Sequence, residues 1–293
     1  MKKIAIYGKP FQNDINNDIS EILQLIEKRG FEGIIYAKYA EFLSEKGFLS
    51  KSYNTFSRED VNIKDYCCLV SVGGDGTLLD TVTLVKDSNI PIVGLNAGRL
   101  GFISSLTVDE LSEVLSSLEE DKYEVDKRSL IQVKTPRNVF GNLNFGLNEM
   151  TIHKKDTASM IQIETFVNGD FLNTYWADGL IVSSPTGSTA YSLSCGGPIV
   201  VPGSENFVIS PIAPHNLNVR PVVVSNNVEL KLRANGRSEE FLLAIDSRPQ
   251  IIHPNEEIII SKAPFTINLL KPEGHTFLNT MRNKLAWGFD KRN

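Results

Sequence analysis

Hydrophobic residues in the first 122 positions follow two alternating spacings. Short apolar runs typical of strands cover residues 3–7, 31–36, 66–72 and 91–96. Between these runs, apolar residues recur at helical spacing over 15–26, 78–85 and 111–118, and Thr107-Val-Asp-Glu110 is a capping-box pattern that opens the last of these helices. The run 66–72 is almost continuously apolar, as expected of a strand buried on both faces of a parallel sheet. This alternation predicts an α/β domain with a mostly parallel sheet over residues 1–122.

Long helical periodicity stops near Tyr123, and short β-branched runs take its place. These runs cover residues 130–133, 161–167, 180–182, 219–224, 228–232, 241–245 and 257–260. Asn168-Gly169 and Asn235-Gly236 separate such runs and are dipeptides typical of hairpin turns. We therefore predict an all-β, sandwich-like domain over residues 123–272. A weakly helical segment, 273–293, is predicted to return to the first domain.

Composition narrows the class of protein. Hydrophobic residues make up 41% and charged residues 22% of the 293 positions, which excludes a disordered, collagen-like or coiled-coil chain. The formal net charge of −5 argues against nucleic acid as a partner. No run approaches the ~18 apolar residues of a membrane span, and the N-terminus fits a first strand rather than a signal peptide. Three cysteines without CxxC or zinc spacing indicate reduced thiols in a cytoplasmic protein.

A glycine-rich loop, Gly73-Gly74-Asp75-Gly76-Thr77, joins the run 66–72 to the next helical pattern. Ligands of open α/β sheets bind at such carboxyl ends of strands. Glycines let N–H groups approach phosphate oxygens and a helix N-terminus adds partial positive charge, so Gly73, Gly74, Gly76 and Thr77 form a candidate phosphate loop. The Asp75 carboxylate repels phosphate unless it binds a metal ion or accepts a proton. The alternative is a tight turn in which Asp75 caps the helix.

Two further polar features lie in the β-rich half. The strand at 180–182 enters a small, polar stretch, 183–189, which offers hydroxyl and N–H groups without bulk and suits a nucleotide. The alternative is a Ser/Thr-rich surface loop, which the constrained path through Gly196-Gly197-Pro198 disfavours. The pair Asn148-Glu149 is by itself more typical of a strand-end turn than of a site. The chain has no P-loop motif, no HExxH and no nucleophile-elbow pattern.

Taken in order, these stretches resemble the NAD kinase family of the bacterial type. The matching segments are Gly73-Gly-Asp-Gly-Thr77, Gly94-Leu-Asn-Ala-Gly-Arg-Leu-Gly-Phe102, Leu147-Asn-Glu149 and Asp178-Gly-Leu-Ile-Val-Ser-Ser-Pro-Thr-Gly-Ser-Thr-Ala-Tyr191. The first motif is shared with diacylglycerol and sphingosine kinases and approximately with phosphofructokinases. The motif at 185–191 is far more specific, and the resemblance covers nearly the whole chain.

The resemblance implies an α/β domain and a β-rich domain, with the active site in the cleft between them. It implies phosphate transfer from ATP, or in some members polyphosphate, to the adenosine 2′-hydroxyl of NAD, with a divalent cation such as Mg²⁺ whose protein ligands are unknown. Asp75 is implied to be the general base. The residues implied to bind NAD are Asp75, Gly76, Asn148, Glu149, Asp178, Thr186, Thr189, Ala190, Tyr191, Ser192, Leu193 and Ser194. Family members form homodimers or homotetramers, and in several a neighbouring subunit completes the site.

Three positions depart from the family pattern. Trp176 stands where many members carry arginine or lysine, and Ser184 replaces the more usual threonine. Ile245-Asp246-Ser-Arg248 stands where many members have Asp-Gly-Gln, and Arg248 is a candidate to supply the cation missing at 176.

Two other functions stay open on the sequence. A kinase of the same superfold could act on a lipid or a sugar, but a lipid requires an apolar acceptor pocket and the stretch 183–194 is small and polar. A catalytically silent dinucleotide-binding regulator is the second, and the intact Asp75, Gly73 and Gly74 disfavour it.

Overall fold

The structure is a computed structural model that describes residues 1–10, 16–58, 63–96, 101–155 and 159–288. Three parts of the predictions lie outside the described residues: Ile15 of the first helix, 97–100 of the glycine-rich stretch, and 289–293 of the C-terminal segment. The chain divides into two compact units, Met1–Lys127 with Ile267–Asn293 (unit 1) and Arg128–Thr266 (unit 2). These divisions differ from the predicted limits after 122 and 272 by a few residues, because strands Val125–Lys134 and Glu257–Leu270 run across them.

Unit 1 begins as an alternation of strands and helices. Its elements are β1 (Lys3–Gly8), α1 (Asn16–Lys28), β2 (Glu32–Tyr36), α2 (Ala37–Glu45), β3 (Thr55–Phe56), a 3₁₀ turn (Ile63–Asp65), β4 (Tyr66–Gly73), α3 (Asp75–Val85), β5 (Ile92–Asn96) and α4 (Val108–Glu119). α4 begins with the predicted capping box, in which Thr107 and Glu110 bond each other's backbone N–H groups. Helix α2 has no counterpart in the sequence prediction.

The sheet of unit 1 has the strand order β3-β2-β1-β4-β5, and all of these pairings are parallel. Residues 68–72 in β4 are almost completely buried, because the sheet is covered on both faces. A single hydrophobic core joins the strands to α1, α2 and α4. The predicted α/β domain with a mostly parallel sheet is confirmed.

Unit 2 consists mainly of strands. Its elements are β6 (Val125–Lys134), a 3₁₀ turn (Gly141–Leu143), β7 (Phe145–Gly146), β8 (Glu149–Lys154), β9 (Ile161–Val167), β10 (Asp170–Ala177), β11 (Gly179–Ser183), a 3₁₀ turn (Thr186–Thr189), α5 (Tyr191–Ser194), β12 (Asn206–Ile212), β13 (Val222–Ser225), β14 (Leu230–Asn235), β15 (Phe241–Ile245), β16 (Arg248–Ile252) and β17 (Glu257–Leu270). The only α-helix among these described elements, α5, is a single turn.

Two sheets make up unit 2. One has the order β10-β9-β14-β17, with β6 against β17, and the other has the order β13-β12-β11-β8-β15-β16. The named pairings within both orders are antiparallel. Ile163 and Leu232 of the first sheet share a core with Ile152 and Phe207 of the second. The predicted β-rich domain with two packed sheets is confirmed.

The two predicted hairpin turns have different outcomes. Asn168 and Gly169 join the antiparallel pair β9–β10, and both have positive φ, as a tight hairpin turn requires. The prediction for Asn235-Gly236 is wrong, because β14 and β15 lie in different sheets and do not pair. The dipeptide instead carries the chain from one sheet to the other, and Gly236 lacks the positive φ of a hairpin turn.

The C-terminal segment belongs to unit 1 and forms α6 (Phe277–Leu285), which begins at the N-cap Thr276. Just before it, His275 contacts Glu110 at 2.7 Å and Lys271 contacts Asp126 at 2.6 Å. Among the described residues, no helix has the combined length and apolar character needed to cross a membrane.

Candidate active site

The glycine loop of unit 1 lies where β4 passes into α3. Gly73 has φ of +154°, and a Cβ there would lie 2.4 Å from the Thr77 hydroxyl oxygen, so the turn requires glycine. Gly74 and Gly76 are different, because both are exposed and a Cβ on either would meet open space. The fold therefore does not require them to be glycine, and their small size leaves room for a ligand beside the N-terminus of α3.

Asp75 is held by a second loop, at residues 101–104. Its Oδ1 accepts hydrogen bonds from the backbone N–H groups of Ile103 (3.1 Å) and Ser104 (2.8 Å). Its Oδ2 accepts one from the N–H of Phe102 (2.9 Å). Gly101 allows this approach, because a Cβ there would lie 2.0 Å from Oδ1. The carboxylate is thereby fixed in one orientation at the glycine loop.

The alternative interpretation, in which Asp75 caps α3, does not describe this arrangement. The N-cap of α3 is Gly74, and Asp75 is the first residue of the helix. Its side chain bonds residues more than 25 positions away instead.

In unit 2, Asn148 and Glu149 lie at the start of β8 and are held by Asp246. The Asp246 carboxylate accepts hydrogen bonds from the N–H groups of Leu147 (3.0 Å), Asn148 (2.9 Å) and Glu149 (3.2 Å). Asn148 and Glu149 are only 6% and 9% exposed. Their Oδ1 and Oε2 atoms are buried and find no hydrogen-bond partner among the described residues. Buried polar atoms of this kind normally have a partner, so the pair is suited to bind a ligand.

Burial and, to a smaller extent, the nearby Asp246 carboxylate raise the pKa of Glu149 to about 8. The Tyr191 backbone N–H opposes this rise by bonding the Glu149 carboxylate. Glu149 is therefore largely protonated near neutral pH, and it can donate as well as accept a hydrogen bond.

The loop after β11 packs directly on Asn148. The Ser184 N–H donates to the Asn148 carbonyl (2.8 Å), and the Ser184 hydroxyl donates to the Leu147 carbonyl (2.5 Å). A Cβ at Gly187 would lie 2.0 Å from the Asn148 carbonyl oxygen, so this contact requires glycine. Serine thus fulfils a backbone-bonding role at 184, where the family more often has threonine. The small residues of this loop serve close packing as well as any ligand.

The other predicted dinucleotide residues fall into two groups. Six of them are partly or well exposed: Asp178, Thr189, Ala190, Tyr191, Leu193 and Ser194. Burial raises the pKa of Tyr191, and the nearby Asp178 and Glu149 act in the same direction. Asp178 also pairs with Lys154 at 2.6 Å. Thr186 and Ser192 are buried: Thr186 accepts from Arg128 (3.1 Å) and Ser192 bonds Ser210 (2.9 Å). The last two side chains are engaged in the framework of unit 2 and do not face open space.

Trp176 and Arg248 occupy separate environments. Trp176 is 47% exposed on the edge strand β10 and lines a surface depression together with Arg237. The Arg248 guanidinium donates to the carbonyls of Leu143 (2.6 Å) and Phe145. Arg248 therefore braces the segment before Asn148, and the structure does not favour it as the replacement for a cation at 176.

A resident metal site is not evident in the part of the chain that the structure describes, because no group of three His, Cys, Asp or Glu side chains converges there. Mg²⁺ in phosphoryl-transfer sites takes one or two carboxylates and is held largely by phosphate oxygens and water. Asp75 Oδ2 accepts one hydrogen bond from the described residues, so this carboxylate can either meet that more modest requirement or accept a proton.

Asp246 and Arg128 are the functional neighbours that sequence reasoning missed. Asp246 has φ of +49° directly after β15, and an Asp at a strand end ordinarily bonds its own turn. Its actual partners are 97 to 99 residues away, so no local signal could reveal them. Arg128 is 3% exposed, and its burial likewise depends on the tertiary fold.

Comparison with known proteins identifies the family. The model of the ATP-NAD kinase N-terminal domain matches residues 21–123, and that of the ATP-NAD kinase C-terminal domain matches residues 147–271. An NAD kinase of Flavobacterium psychrophilum is 45% identical over 293 residues, covering 99% of this chain and 100% of that protein.

Solved structures agree with this match. A yeast NADH kinase complexed with NADH has a TM-score of 0.87 at 22% identity, covering 99% of this chain and 89% of the other, and supports the fold. An NAD kinase from Archaeoglobus fulgidus in complex with ATP has a TM-score of 0.75 at 25% identity, with 97% of each chain covered. The resemblance read from the motifs is confirmed, and the chain belongs to the NAD kinase family.

Proposed function

We propose that this NAD kinase transfers the terminal phosphate of ATP to the adenosine 2′-hydroxyl of NAD, with Asp75 as the general base. The observation that carries the proposal is the Asp75 carboxylate, fixed by N–H donors in the middle of a phosphate-binding loop. In phosphoryl transfer, positioning and charge neutralisation supply most of the rate enhancement. The phosphate loop and Asp75 belong to unit 1, and Asn148 and Glu149 belong to unit 2.

The hydrogen bonds of Asp75 indicate which oxygen takes the proton. A carboxylate has about four lone-pair positions. Among the described residues, two N–H groups occupy Oδ1 and one occupies Oδ2, which leaves one position on Oδ2. We therefore assign Oδ2 as the atom that accepts the hydroxyl proton, and proton acceptance contributes a factor of about 10²–10⁴.

The dinucleotide site is proposed at Asn148, Glu149 and the neighbouring loop. Asn148 Oδ1 and Glu149 Oε2 are buried without partners among the described residues, so a ribose or adenine group that bonds them relieves a desolvation cost. Tyr191, Asp178 and Ala190 lie on the accessible side of the loop and complete the set that we assign to NAD.

Mg²⁺ is the proposed metal, and when bound it neutralises charge on the transferring phosphate. Phosphate oxygens and water would hold it, because the remaining position on Asp75 Oδ2 is assigned to the hydroxyl proton. Gly74 and Gly76 leave the N–H groups at the start of α3 accessible to donor phosphates. Inorganic polyphosphate carries the same phosphate chain and is the alternative donor.

The test measures transfer of radiolabelled phosphate from ATP to NAD, with diacylglycerol as the competing acceptor. Labelled NADP and no labelled lipid are expected. Labelled lipid without NADP would favour a lipid kinase, and binding of NAD without any transfer would favour a silent regulator.

Assembly and location form part of the same proposal. We propose a homodimer or homotetramer in the cytoplasm, supported by the exposed Phe171 and Trp176 on β10 and by three free cysteines, Cys67, Cys68 and Cys195. Light scattering of the purified chain measures the oligomer directly.

A further inference from the structure

The parallel sheet of unit 1 changes direction between β1 and β4. From β1 the chain builds β2 and β3 on one side, and then returns to place β4 and β5 on the other. Ligands of open α/β sheets bind outside the carboxyl ends of the strands at this kind of switch point. One side of the crevice is the glycine loop that follows β4, and the other carries Lys9 and Pro10, directly after β1.

Lys9 is the first residue after β1 on that second side. Gly8 at the end of β1 pairs with Val72, the residue before Gly73. Since neighbouring strands lie about 4.8 Å apart, the Lys9 backbone is close to the glycine loop. Its side chain is 47% exposed, and its long flexible stem lets the ammonium group follow a ligand along this edge.

Charged side chains with defined partners lie around Lys9. Its ammonium group pairs with Asp80, which lies one turn beyond Gly76 on α3. Arg58 reaches the same helix by donating to the Thr83 hydroxyl at 3.0 Å, and it also bonds the Tyr7 hydroxyl. Two cations thus lie along this helix: Arg58 donates to Thr83, and the half-exposed Lys9 pairs with the partly buried Asp80.

We propose that Lys9 binds the phosphate chain of the donor by leaving Asp80 for the donor's phosphate oxygens. This inference rests on the proposed function and extends it to the donor, whose contacts have so far been limited to backbone N–H groups. The Lys9 side chain is 47% exposed and the Asp80 side chain 29%, so solvent partly screens the pair and the ammonium group can exchange Asp80 for a polyanion. The ligand chemistry is a linear polyphosphate chain, carried by either ATP or inorganic polyphosphate.

The experiment compares Lys9→Met with the wild type in steady-state NAD phosphorylation, with ATP and inorganic tripolyphosphate tested separately as donor or competitor. We expect the KM for ATP to rise about ten- to a hundredfold, because a hydrogen bond to a charged group is lost. The KM for NAD should stay within twofold, and binding of tripolyphosphate should weaken by the same factor as binding of ATP. Lys9→Arg should recover most of the loss. Lys51→Met is the matched control, because Lys51 is a similarly exposed lysine that pairs with Glu27 at 2.8 Å.

Several results would overturn the assignment. These are an unchanged KM for ATP in Lys9→Met, an equal rise in the KM for NAD, or an effect on ATP without one on tripolyphosphate.

Asp80→Asn distinguishes direct contact from a structural ion pair. Release of Lys9 should lower the KM for ATP, and a rise as large as that of Lys9→Met would refute direct contact. If the wild type makes no NADP, the proposed function fails, and calorimetric binding of tripolyphosphate to both proteins still decides the role of Lys9.

Discussion

Replacing Asp75 with asparagine tests the carboxylate in the phosphate loop. The two side chains are nearly isosteric, but the N–H groups around residue 75 distinguish them. Asparagine has one acceptor oxygen, so it can keep the bonds from Ile103 and Ser104 and must turn its NH₂ group toward the Phe102 N–H. The substitution therefore removes the base and also disturbs the loop that holds it.

The structural cost follows from the bonds lost. Hydrogen bonds to charged groups contribute about 1.5–3 kcal/mol each, and neutral ones about 0.5–1.5 kcal/mol. One charged bond disappears and two become neutral, so we expect a loss of about 3.5–6 kcal/mol in the free energy of unfolding of unit 1. Turnover should fall by about 10²–10⁴, whereas NAD affinity should change less than about threefold, since the proposed NAD contacts other than Asp75 and Gly76 lie in unit 2.

The assay combines steady-state NADP formation, calorimetric NAD binding and thermal unfolding for Asp75→Asn and Asp75→Glu. Glutamate keeps the charge but moves the carboxylate by one methylene, so it separates base chemistry from the fixed position. Retention of more than a tenth of wild-type turnover by a folded Asp75→Asn protein would refute the role of base. Full recovery of that turnover by added Mg²⁺ would make Asp75 a metal ligand instead.

Three further substitutions test the remaining parts of the site. Gly101→Ala places a Cβ 2.0 Å from Asp75 Oδ1 and should lower kcat at least tenfold. The control Gly236→Ala, whose Cβ has no contact closer than 3.5 Å, should leave kcat unchanged. Equal kcat values for the two variants would show that Asp75 does not need glycine at 101. Glu149→Gln removes a group whose folded pKa is about 8 and whose unfolded pKa is near 4.3. The contribution of Glu149 to wild-type stability is full below about pH 4.3 and should fall by up to ~1.4 kcal/mol per pH unit toward pH 8, so thermal unfolding should show a shallower fall in stability for the variant over this range. Matching pH profiles would show that Glu149 does not titrate as described. Ala190→Trp should weaken NAD binding at least tenfold by calorimetry, and an unchanged affinity in the folded variant would remove Ala190 from the site.

Local patterns in the sequence predicted the elements that depend on local physics. The capping box at Thr107, the buried strand β4 and the Asn168-Gly169 turn each follow from a few neighbouring residues. The Asn235-Gly236 turn failed because the same dipeptide also fits a crossing between sheets, and strand pairing decides between the two. Local sequence does not contain that pairing.

The site was predictable in its residue types but not in its support. The motifs singled out Asp75 and Asn148 as candidates, because a glycine loop and a polar pair that match the family pattern are visible in sequence. The cradle of N–H groups at residues 102–104 and the anchoring of residues 147–149 by Asp246 join segments 27 to 99 residues apart. Such contacts arise from tertiary folding, and they also account for the raised pKa of Glu149.

Transfer of phosphate to the adenosine 2′-hydroxyl of NAD is tested most directly by identifying the acceptor atom. The wild-type enzyme is given ATP with a radiolabelled terminal phosphate and either NAD or its adenosine 2′-deoxy analogue, and the labelled products are separated and mapped by ³¹P NMR. We expect label on the 2′-oxygen of NAD and none on the analogue. Label on the analogue, or at any other position of NAD, would contradict this expectation.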